Sequence, residues 1–179
     1  FQQHMQKSLD EHNGRSISLW PHGILFRDAE ADMRRKMVEQ DLVECVIGLG
    51  PNLFYNSPME ACLLITRNNK AADRGGKILF INAVNEVRQE KTMAFLEQKH
   101  IDKIFEAYQT FKSQQNFAAL VNIEEVLENK GNMAINLYVR TQEFADEIQQ
   151  SFEEAYQHWE QKSQALQSSM NELFQILEN

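Results

Sequence analysis

The sequence has little of what small cross-linked or metal-binding domains are built from. Its two cysteines, Cys45 and Cys62, lie inside apolar stretches and form no Cys-x-x-Cys pair, and its five histidines are scattered. This excludes a disulfide framework and leaves no cluster with the spacing of a metal site. We expect both thiols to be small core residues of a reduced, cytoplasmic protein.

Glycine and proline are also scarce, with seven and three residues in 179. Together with 42% hydrophobic residues, this scarcity excludes a disordered or low-complexity chain. No apolar run reaches the roughly 18 residues of a membrane-spanning helix, and no signal-peptide pattern opens the chain. Because the first residue is Phe1 rather than methionine and lies inside an expected helix, we expect a piece of a longer protein.

Positive charge is in short supply as well. The formal net charge is −8, and residues 141–179, with eight acidic residues and one lysine, carry −7 of it. The rest of the chain is therefore nearly neutral and lacks the basic surface of a general nucleic-acid-binding domain. Any contact with nucleic acid must be local or shared with other chains.

The residue pattern divides the chain into three regions, 1–83, 84–140 and 141–179. In the first region, apolar strands alternate with helices, which predicts an α/β fold with a mostly parallel sheet covered on both faces. A short polar link at 68–76 predicts that the last two strands pair antiparallel. The expected elements are helices Phe1–Leu9 and Asp28–Gln40, and strands Arg15–Trp20, Leu42–Leu49, Glu60–Arg67 and Lys77–Asn82.

Two adjacent aromatic residues, Phe54 and Tyr55, follow the strand from Leu42 in a Gly/Pro turn. Loops beyond the strand ends of open α/β sheets are common ligand sites. An exposed aromatic ring in such a loop can stack on a flat substrate such as a nucleobase. The alternative is that both rings fold back over the protein's own core.

The second region is predicted to be mixed. Residues Gln98–Lys112 have apolar side chains at helical spacing. Residues Ile123–Glu128 are predicted to form a short helix capped by Asn122. Segments Phe117–Val121 and Met133–Val139 are predicted to be extended.

The third region contains no glycine or proline and predicts one long helix. Its apolar positions recur mostly at steps of four and three residues, a heptad pattern that Lys162 interrupts. A stripe of this length needs a surface to cover it: a second copy, a helix of another protein, a neighbouring segment or the chain's own domain. The apolar positions are Ile148, Phe152, Ala155, Trp159, Leu166, Met170, Leu173 and Leu177.

Several segments, in order and at matching spacing, resemble the modification subunit of type I restriction–modification systems. That family methylates adenine at N6 in DNA with S-adenosylmethionine. The resemblance implies that 1–83 is the C-terminal part of a doubly wound methyltransferase sheet, that 84–140 connects, and that an α-helical extension ends in the long amphipathic helix. The matching segments are Ser8–Gly14, Arg15–Arg27, Leu42–Leu49, Pro51–Tyr55 and Ala61–Ile65, followed by His100–Tyr108 and Phe117–Val139.

Two motifs of that family have no counterpart here. One is a Gly-rich cofactor loop, and the other is the catalytic Asn/Asp-Pro-Pro-aromatic motif, which cannot occur because Pro21, Pro51 and Pro58 are never adjacent. Gly48-Leu-Gly50 is no substitute, since a proline and an aromatic turn follow it rather than a helix. We therefore expect no catalytic, cofactor-binding or metal-binding residue in this chain and no methyl transfer by it alone.

The resemblance also implies roles for particular residues. In similar adenine methyltransferases an aromatic residue after the sixth strand supports the flipped base, and the matching position is Phe54, with Tyr55 in reserve. Trp20, Pro21 and His22 end a strand on the same side of the sheet and are expected to form the pocket wall. For His22 we weigh DNA contact against capping of the turn and favour the cap.

The implied partners are a specificity subunit docked on the long helix, a second modification subunit, and double-stranded DNA bound through the complex. Self-association of this chain through the edge of its first strand is a further expectation. The alternative function is a non-catalytic coiled-coil interaction protein on an α/β scaffold.

Overall fold

The computed structural model describes residues 1–55, 57–91, 93–139 and 152–177. The chain divides into two compact units, Phe1–Thr141 and Gln142–Asn179. The helices are α1 Gln2–Lys7, α2 Ala31–Glu39, α3 Gln98–Thr110, α4 Ile123–Glu128, α5 Ile135–Tyr138 and α6 Phe152–Leu177. The strands are β1 Arg15–Pro21, β2 Val43–Leu49, β3 Ala61–Arg67, β4 Lys77–Ala83, β5 Arg88–Gln89, β6 Ala94–Phe95 and β7 Ala118–Asn122.

The first unit is built on a five-stranded sheet in the order β1-β3-β2-β4-β7. Only β2 and β4 pair parallel, and the other three pairings are antiparallel. The prediction of a mostly parallel sheet is therefore wrong for these strands. The predicted pairing of β3 with β4 is also wrong, because β2 lies between them and satisfies one edge of each.

Burial along the strands follows from their position in the sheet. Every residue of β2 is buried, as expected of a central strand with both faces covered. Strand β1 lies at the sheet edge and alternates, with Ser18 buried between the exposed side chains of Ile17 and Leu19. One core on each face results, one around Phe80 and the other around Leu79.

The helices depart from the sequence prediction at two places. A 3-10 turn occupies Asp28–Glu30, so helix α2 begins at Ala31 and Asp28 does not cap it. Residues 135–138 form the short helix α5 instead of an extended segment. Its end is fixed by the Tyr138 hydroxyl, which donates to the Asn132 carbonyl at 2.6 Å, and by the Tyr138 ring, which stacks on Phe80 at 4.3 Å.

A buried carboxylate joins the polar link 68–76 to the sheet. The side chain of Glu44 on β2 is 1% exposed and faces two arginines, with Arg67 Nε at 2.9 Å and Arg74 Nη1 at 2.7 Å. The Arg74 guanidinium also lies over the rings of Phe111 and Tyr108, at 4.5 Å and 5.1 Å. This cluster holds the link and the end of α3 against the start of β2.

The second unit is described for helix α6 alone. Several of its large apolar side chains are exposed, among them Trp159 at 62%, Leu166 at 63% and Met170 at 49%. Phe152, Ala155, Leu173 and Leu177 lie within the helix, and Ile148 lies outside the described residues. Among the described helices, none is long and apolar enough to cross a membrane.

Candidate functional site

The segments that the sequence analysis selected as candidate site residues lie together at one end of the sheet, where several strands end. The register sets Pro21 of β1 and Leu49 of β2 opposite the same residue of β3, Ala61, and sets Leu49 opposite Ala83 of β4. The C-terminal ends of β1, β2 and β4 therefore lie together with the first residue of β3. Both the end of β1 and the aromatic turn after β2 lie at this edge.

The aromatic turn is tightly closed. The Ser57 amide donates to the Phe54 carbonyl at 3.0 Å, and Asn52 adopts a left-handed backbone conformation with φ of 60°. Leu53 packs against the core below. Phe54 is 37% exposed and Tyr55 is 84% exposed, so neither ring is folded away as a buried lid.

A small hairpin supports the turn from one side. The Ala94 amide of β6 donates to the Asn52 carbonyl at 2.9 Å. Strand β6 pairs with β5, and the Arg88 guanidinium of β5 lies 5.4 Å from the ring centre of Phe95. Arg88 also forms ion pairs with Glu90 and, more loosely, with Glu97.

At the end of β1, Trp20 packs toward the core, whereas Pro21 is exposed. Trp20 is half-buried against the core, and its Nε1 donates to Ser18 Oγ at 2.9 Å and to Gln2 Oε1 at 3.2 Å. The indole thereby holds α1 on the sheet and turns its polar group toward the interior. Pro21 is exposed and His22 is half-buried at the sheet edge.

His22 makes a contact that the sequence analysis missed. Its Nδ1 lies 3.1 Å from Oε2 of Glu60, and its backbone amide donates to the Glu60 carbonyl at 3.3 Å. The opposite nitrogen, Nε2, is buried beside Gly48 and has no hydrogen-bond partner among the described residues. The available signal was a charged residue, Glu60, placed directly before an apolar strand.

A buried arginine fixes the turn that follows His22. Arg34 is 2% exposed and donates to the carbonyls of Ile24 at 2.9 Å, Arg27 at 2.7 Å and Gly131 at 3.3 Å. Burial lowers the pKa of Arg34, and these carbonyls satisfy its N–H groups in place of a carboxylate.

The two glycines at the end of β2 serve internal packing. A Cβ at Gly50 would lie 2.4 Å from the Val84 carbonyl oxygen, and one at Gly48 would lie 2.8 Å from Ile135 Cδ1. The space beside them is therefore filled by the chain itself, and these residues do not fit as a cradle for S-adenosylmethionine. Within the described part of the chain, no group of three His, Cys, Asp or Glu side chains could hold a metal ion.

Comparison with known proteins decides the family. Residues 1–147 match the family model of N-6 DNA methylases. The chain belongs to that family. The resemblance to type I modification subunits is confirmed by individual relatives of this chain.

Two curated relatives and one solved structure illustrate the similarity. The chain is 41% identical over 121 residues to the methylase subunit of type I restriction enzyme MjaVIII from Methanocaldococcus jannaschii, covering 65% of this chain and 21% of that protein. It is 30% identical over 149 residues to the MpnII methylase subunit from Mycoplasma pneumoniae, and this match covers 83% of this chain and 27% of that protein. It also resembles the crystal structure of a type I restriction–modification methyltransferase subunit from Streptococcus thermophilus, with a TM-score of 0.70 and 32% identity. This match covers 75% of this chain and 28% of that structure's chain. This chain thus spans between a fifth and a third of each of these proteins.

Proposed function

We propose that this chain is part of a site-specific DNA adenine-N6 methyltransferase subunit of a type I restriction–modification system and supplies its target-base stacking loop. The observation that carries the proposal is the pair of exposed rings, Phe54 and Tyr55, on a closed turn at the strand-end edge of an N-6 DNA methylase sheet. We refer below to the whole polypeptide that contains this chain as the intact subunit.

The chemistry of the substrate explains why such a ring is needed. The N6 amine of adenine is inaccessible inside the duplex, so the base must leave the stack before it can be methylated. A flipped base is stabilised by an aromatic face, and stacking contributes about 1–3 kcal/mol per base. Phe54 is our first candidate because its backbone hydrogen bond to Ser57 and the packing of the partly buried Leu53 fix its position. Tyr55, the more exposed ring, is the second.

Cofactor and catalytic groups are proposed to come from the rest of the intact subunit. When bound there, S-adenosylmethionine supplies the methyl group. The residues of this chain contribute the base support and the adjoining wall at Pro21 and His22. We therefore expect no methyl transfer by the isolated chain, and turnover by it would contradict the proposal.

Helix α6 is proposed to dock on the specificity subunit. The proposed complex contains one specificity subunit and two modification subunits, and the complex as a whole binds double-stranded DNA. The exposed Trp159, Leu166 and Met170 support a partner surface, and the acidic character of 141–179 argues against direct DNA binding. The same exposed side chains favour a second candidate function, a coiled-coil interaction module without catalysis. A tight homodimer that forms through α6 and binds no specificity subunit would support that second function.

The stacking role is tested by 2-aminopurine fluorescence at the target position, which rises when the base leaves the stack. In the assembled complex, Phe54→Ala should reduce this signal, and the loss of about 1–3 kcal/mol corresponds to a roughly 5- to 150-fold weaker flipping equilibrium. Phe105→Ala is the matched control and should leave the signal unchanged, because Phe105 is an exposed phenylalanine, at 55%, on helix α3 and not on the turn or on the hairpin that supports it. An unchanged signal for Phe54→Ala and Tyr55→Ala alike would remove the stacking role.

A further inference from the structure

The β5–β6 hairpin lies beside the aromatic turn, and most of it is exposed to solvent. Its two strands pair antiparallel, and the Glu90 amide donates to the Met93 carbonyl at 2.8 Å, which continues the pairing past the ends of the strands. Lys91 lies beyond this hydrogen bond, at the tip of the hairpin. Among the described residues of the hairpin, Ala94 alone is buried.

Ala94 anchors the hairpin to the aromatic turn. Its amide donates to the carbonyl of Asn52 at 2.9 Å, two residues before Phe54. Lys91 is three residues from Ala94 in sequence, which corresponds to about 10 Å of extended chain. Each strand of a DNA duplex rises about 3.4 Å per nucleotide. If the turn holds a base, the tip can therefore reach the backbone within about three nucleotides of it.

Arg88 stabilises the hairpin from within. A pair of strands this short is at best marginally stable in water by itself. The Arg88 guanidinium lies 5.4 Å from the ring centre of Phe95, its partner across the strands, and 2.9 Å from Oε1 of Glu90. Its Nε lies 3.4 Å from Oε1 of Glu97. The positive charge of Arg88 is therefore balanced by contacts that the hairpin makes itself.

Lys91 has no such balance. Glu97 also lies 2.9 Å from Lys99, and Glu86 is ion-paired with Lys103, so the carboxylates around the hairpin already have cationic partners. Lys91 is exposed and forms no ion pair with the described residues. The tip of the hairpin thus presents an unpaired positive charge next to the turn that carries the exposed rings.

We propose that the tip of the β5–β6 hairpin binds a DNA phosphate beside the flipped nucleotide, with Lys91 as the phosphate ligand. This inference rests on the proposed function, which places the flipped base on the aromatic turn. Contacts to phosphates fix the position of a protein on the duplex without reading its sequence. The hairpin would therefore hold the DNA backbone close to the point where the base leaves the stack.

The chemistry of the tip favours DNA over a protein partner. The exposed residues of β5 and the tip, 88–91, are all polar or charged, whereas the centres of protein interfaces are depleted of charged residues and enriched in aromatic ones. A lysine ammonium is a compact charge on a flexible stem, and it is a common ligand of phosphate. A two-stranded ribbon also fits the major groove of B-DNA, so the hairpin can approach the backbone closely.

The salt dependence of DNA binding by the assembled complex tests the proposal, with fluorescence anisotropy as the readout. Each phosphate contact contributes about −0.9 to the slope of log affinity against log salt concentration. Lys91→Gln should therefore make the slope shallower by about one. Applied over one decade of salt, this is an about eightfold loss of affinity at about 0.1 M, on target and non-target duplexes alike.

Lys112→Gln is the matched control. Lys112 is also exposed and forms no ion pair with the described residues. It follows Phe111, whose ring lies under Arg74, and Arg74 is ion-paired with Glu44 at the start of β2, the end of that strand remote from the aromatic turn. Lys112→Gln should bind DNA as the parent does, and equal slopes for the two variants would overturn the proposal.

Uncharged phosphates identify the contact directly. Methylphosphonate linkages are placed one at a time within about three nucleotides of the target adenine. At one position the parent complex should lose affinity and Lys91→Gln should lose none beyond its own deficit, because both changes remove the same interaction. Losses that add at every position would contradict a direct contact between Lys91 and a phosphate.

The outcomes separate this inference from the proposed function. If Lys91→Gln binds DNA as the parent does while Phe54→Ala lowers the 2-aminopurine signal, the hairpin contact is wrong and the stacking loop stands. If the contact is found in a complex that neither flips nor methylates adenine, the proposed function is wrong and the contact stands. Weaker binding of the specificity subunit by Lys91→Gln without DNA, measured by sedimentation velocity, would place the tip at a protein interface and overturn the proposal.

Discussion

His22 Nδ1 lies 3.1 Å from Glu60 Oε2, and this contact connects the end of β1 to the residue where the aromatic turn re-enters the sheet. The backbone amide of His22 donates to Glu60 as well, so both residues are held at side chain and main chain. The pair therefore links the two chain segments on either side of the strand ends, next to the turn that carries Phe54 and Tyr55. Under the proposed function, we infer that His22 and Glu60 position the aromatic turn and need not touch the base themselves.

Removal of the Glu60 carboxylate should weaken base flipping without unfolding the protein. Glu60 is half-exposed, so Glu60→Ala should change the free energy of unfolding by less than about 1 kcal/mol. It should nevertheless lower the 2-aminopurine signal of the assembled complex, because the side-chain link between His22 and the end of the aromatic turn is then lost while the main-chain hydrogen bond remains. Glu60→Gln retains an acceptor for Nδ1 and should restore most of the signal.

Glu86 offers the control for this experiment, since it also follows a strand that ends at this side of the sheet but is ion-paired with Lys103 of α3 rather than with a residue of β1 or β3. Glu86→Ala should leave the fluorescence unchanged. If Glu60→Ala and Glu86→Ala lowered the signal equally, the effect would be a general one on the edge and the positioning role would be lost.

Glu44 should contribute far more to stability than the exposed carboxylates. Glu44→Ala leaves Arg67 and Arg74 facing each other without a counter-charge, and breaking a buried pair in this way costs about 3 kcal/mol. Arg35 and Glu39 form an exposed ion pair one helical turn apart, so Glu39→Ala should lower the free energy of unfolding by at most about 0.5 kcal/mol. Urea unfolding of the two variants measures the difference, and similar midpoints would contradict it.

The two thiols should be unreactive in the folded protein at mildly alkaline pH. Burial raises the pKa of Cys62 from 9.0 to about 12 and that of Cys45 well above its ordinary value, so the thiolate is a minor species at pH 8. A chromogenic disulfide reagent should therefore detect no thiol before unfolding and both afterwards. A thiol that reacts rapidly in the native state would show that its strand opens.

The raised pKa also fixes a pH dependence of stability. The folded state keeps the Cys62 proton where the unfolded state loses it, so this contribution is complete below about pH 9 and declines as the pH rises toward 12. Urea midpoints of the parent and of Cys62→Ala, compared across that window, isolate the effect. The parent should lose stability more steeply with pH than the variant.

What the sequence predicted well was decided by local pattern. The continuous apolar run of β2 corresponds to a fully buried strand, and the helical spacing of 98–110 corresponds to helix α3, because both depend on neighbours close in sequence. The order of the strands depends on contacts between distant residues, and the short link before β4 concealed that β2 separates it from β3. When a strand from elsewhere in the chain lies between two strands that are consecutive in sequence, the residues near those two strands do not reveal it.

The candidate site shows the same division. Phe54 and Tyr55 were predictable from the turn that carries them, and the structure exposes both. The contact between His22 and Glu60 was not, because it forms only when β1 and β3 pair along residues far apart in the chain. The short helix at 135–138 was missed for a similar reason, since Tyr138 is held by stacking on Phe80 of a distant strand.

The exposed stripe of α6 leads to the last prediction. Trp159 is 62% exposed, and its ring centre lies 5.9 Å from that of Tyr156 on the same helix. Large aromatic side chains of this kind dominate the energetics of protein interfaces, so Trp159→Glu should weaken binding of the intact subunit to the specificity subunit by tenfold or more, at roughly 2 kcal/mol. Gln157→Glu on the same helix adds the same charge without removing the ring and should bind nearly as well as the parent. Sedimentation velocity of each variant, with and without the specificity subunit, separates the possibilities: a homodimer that Trp159→Glu dissolves would favour the coiled-coil module, and equal binding by both variants would remove α6 from the interface.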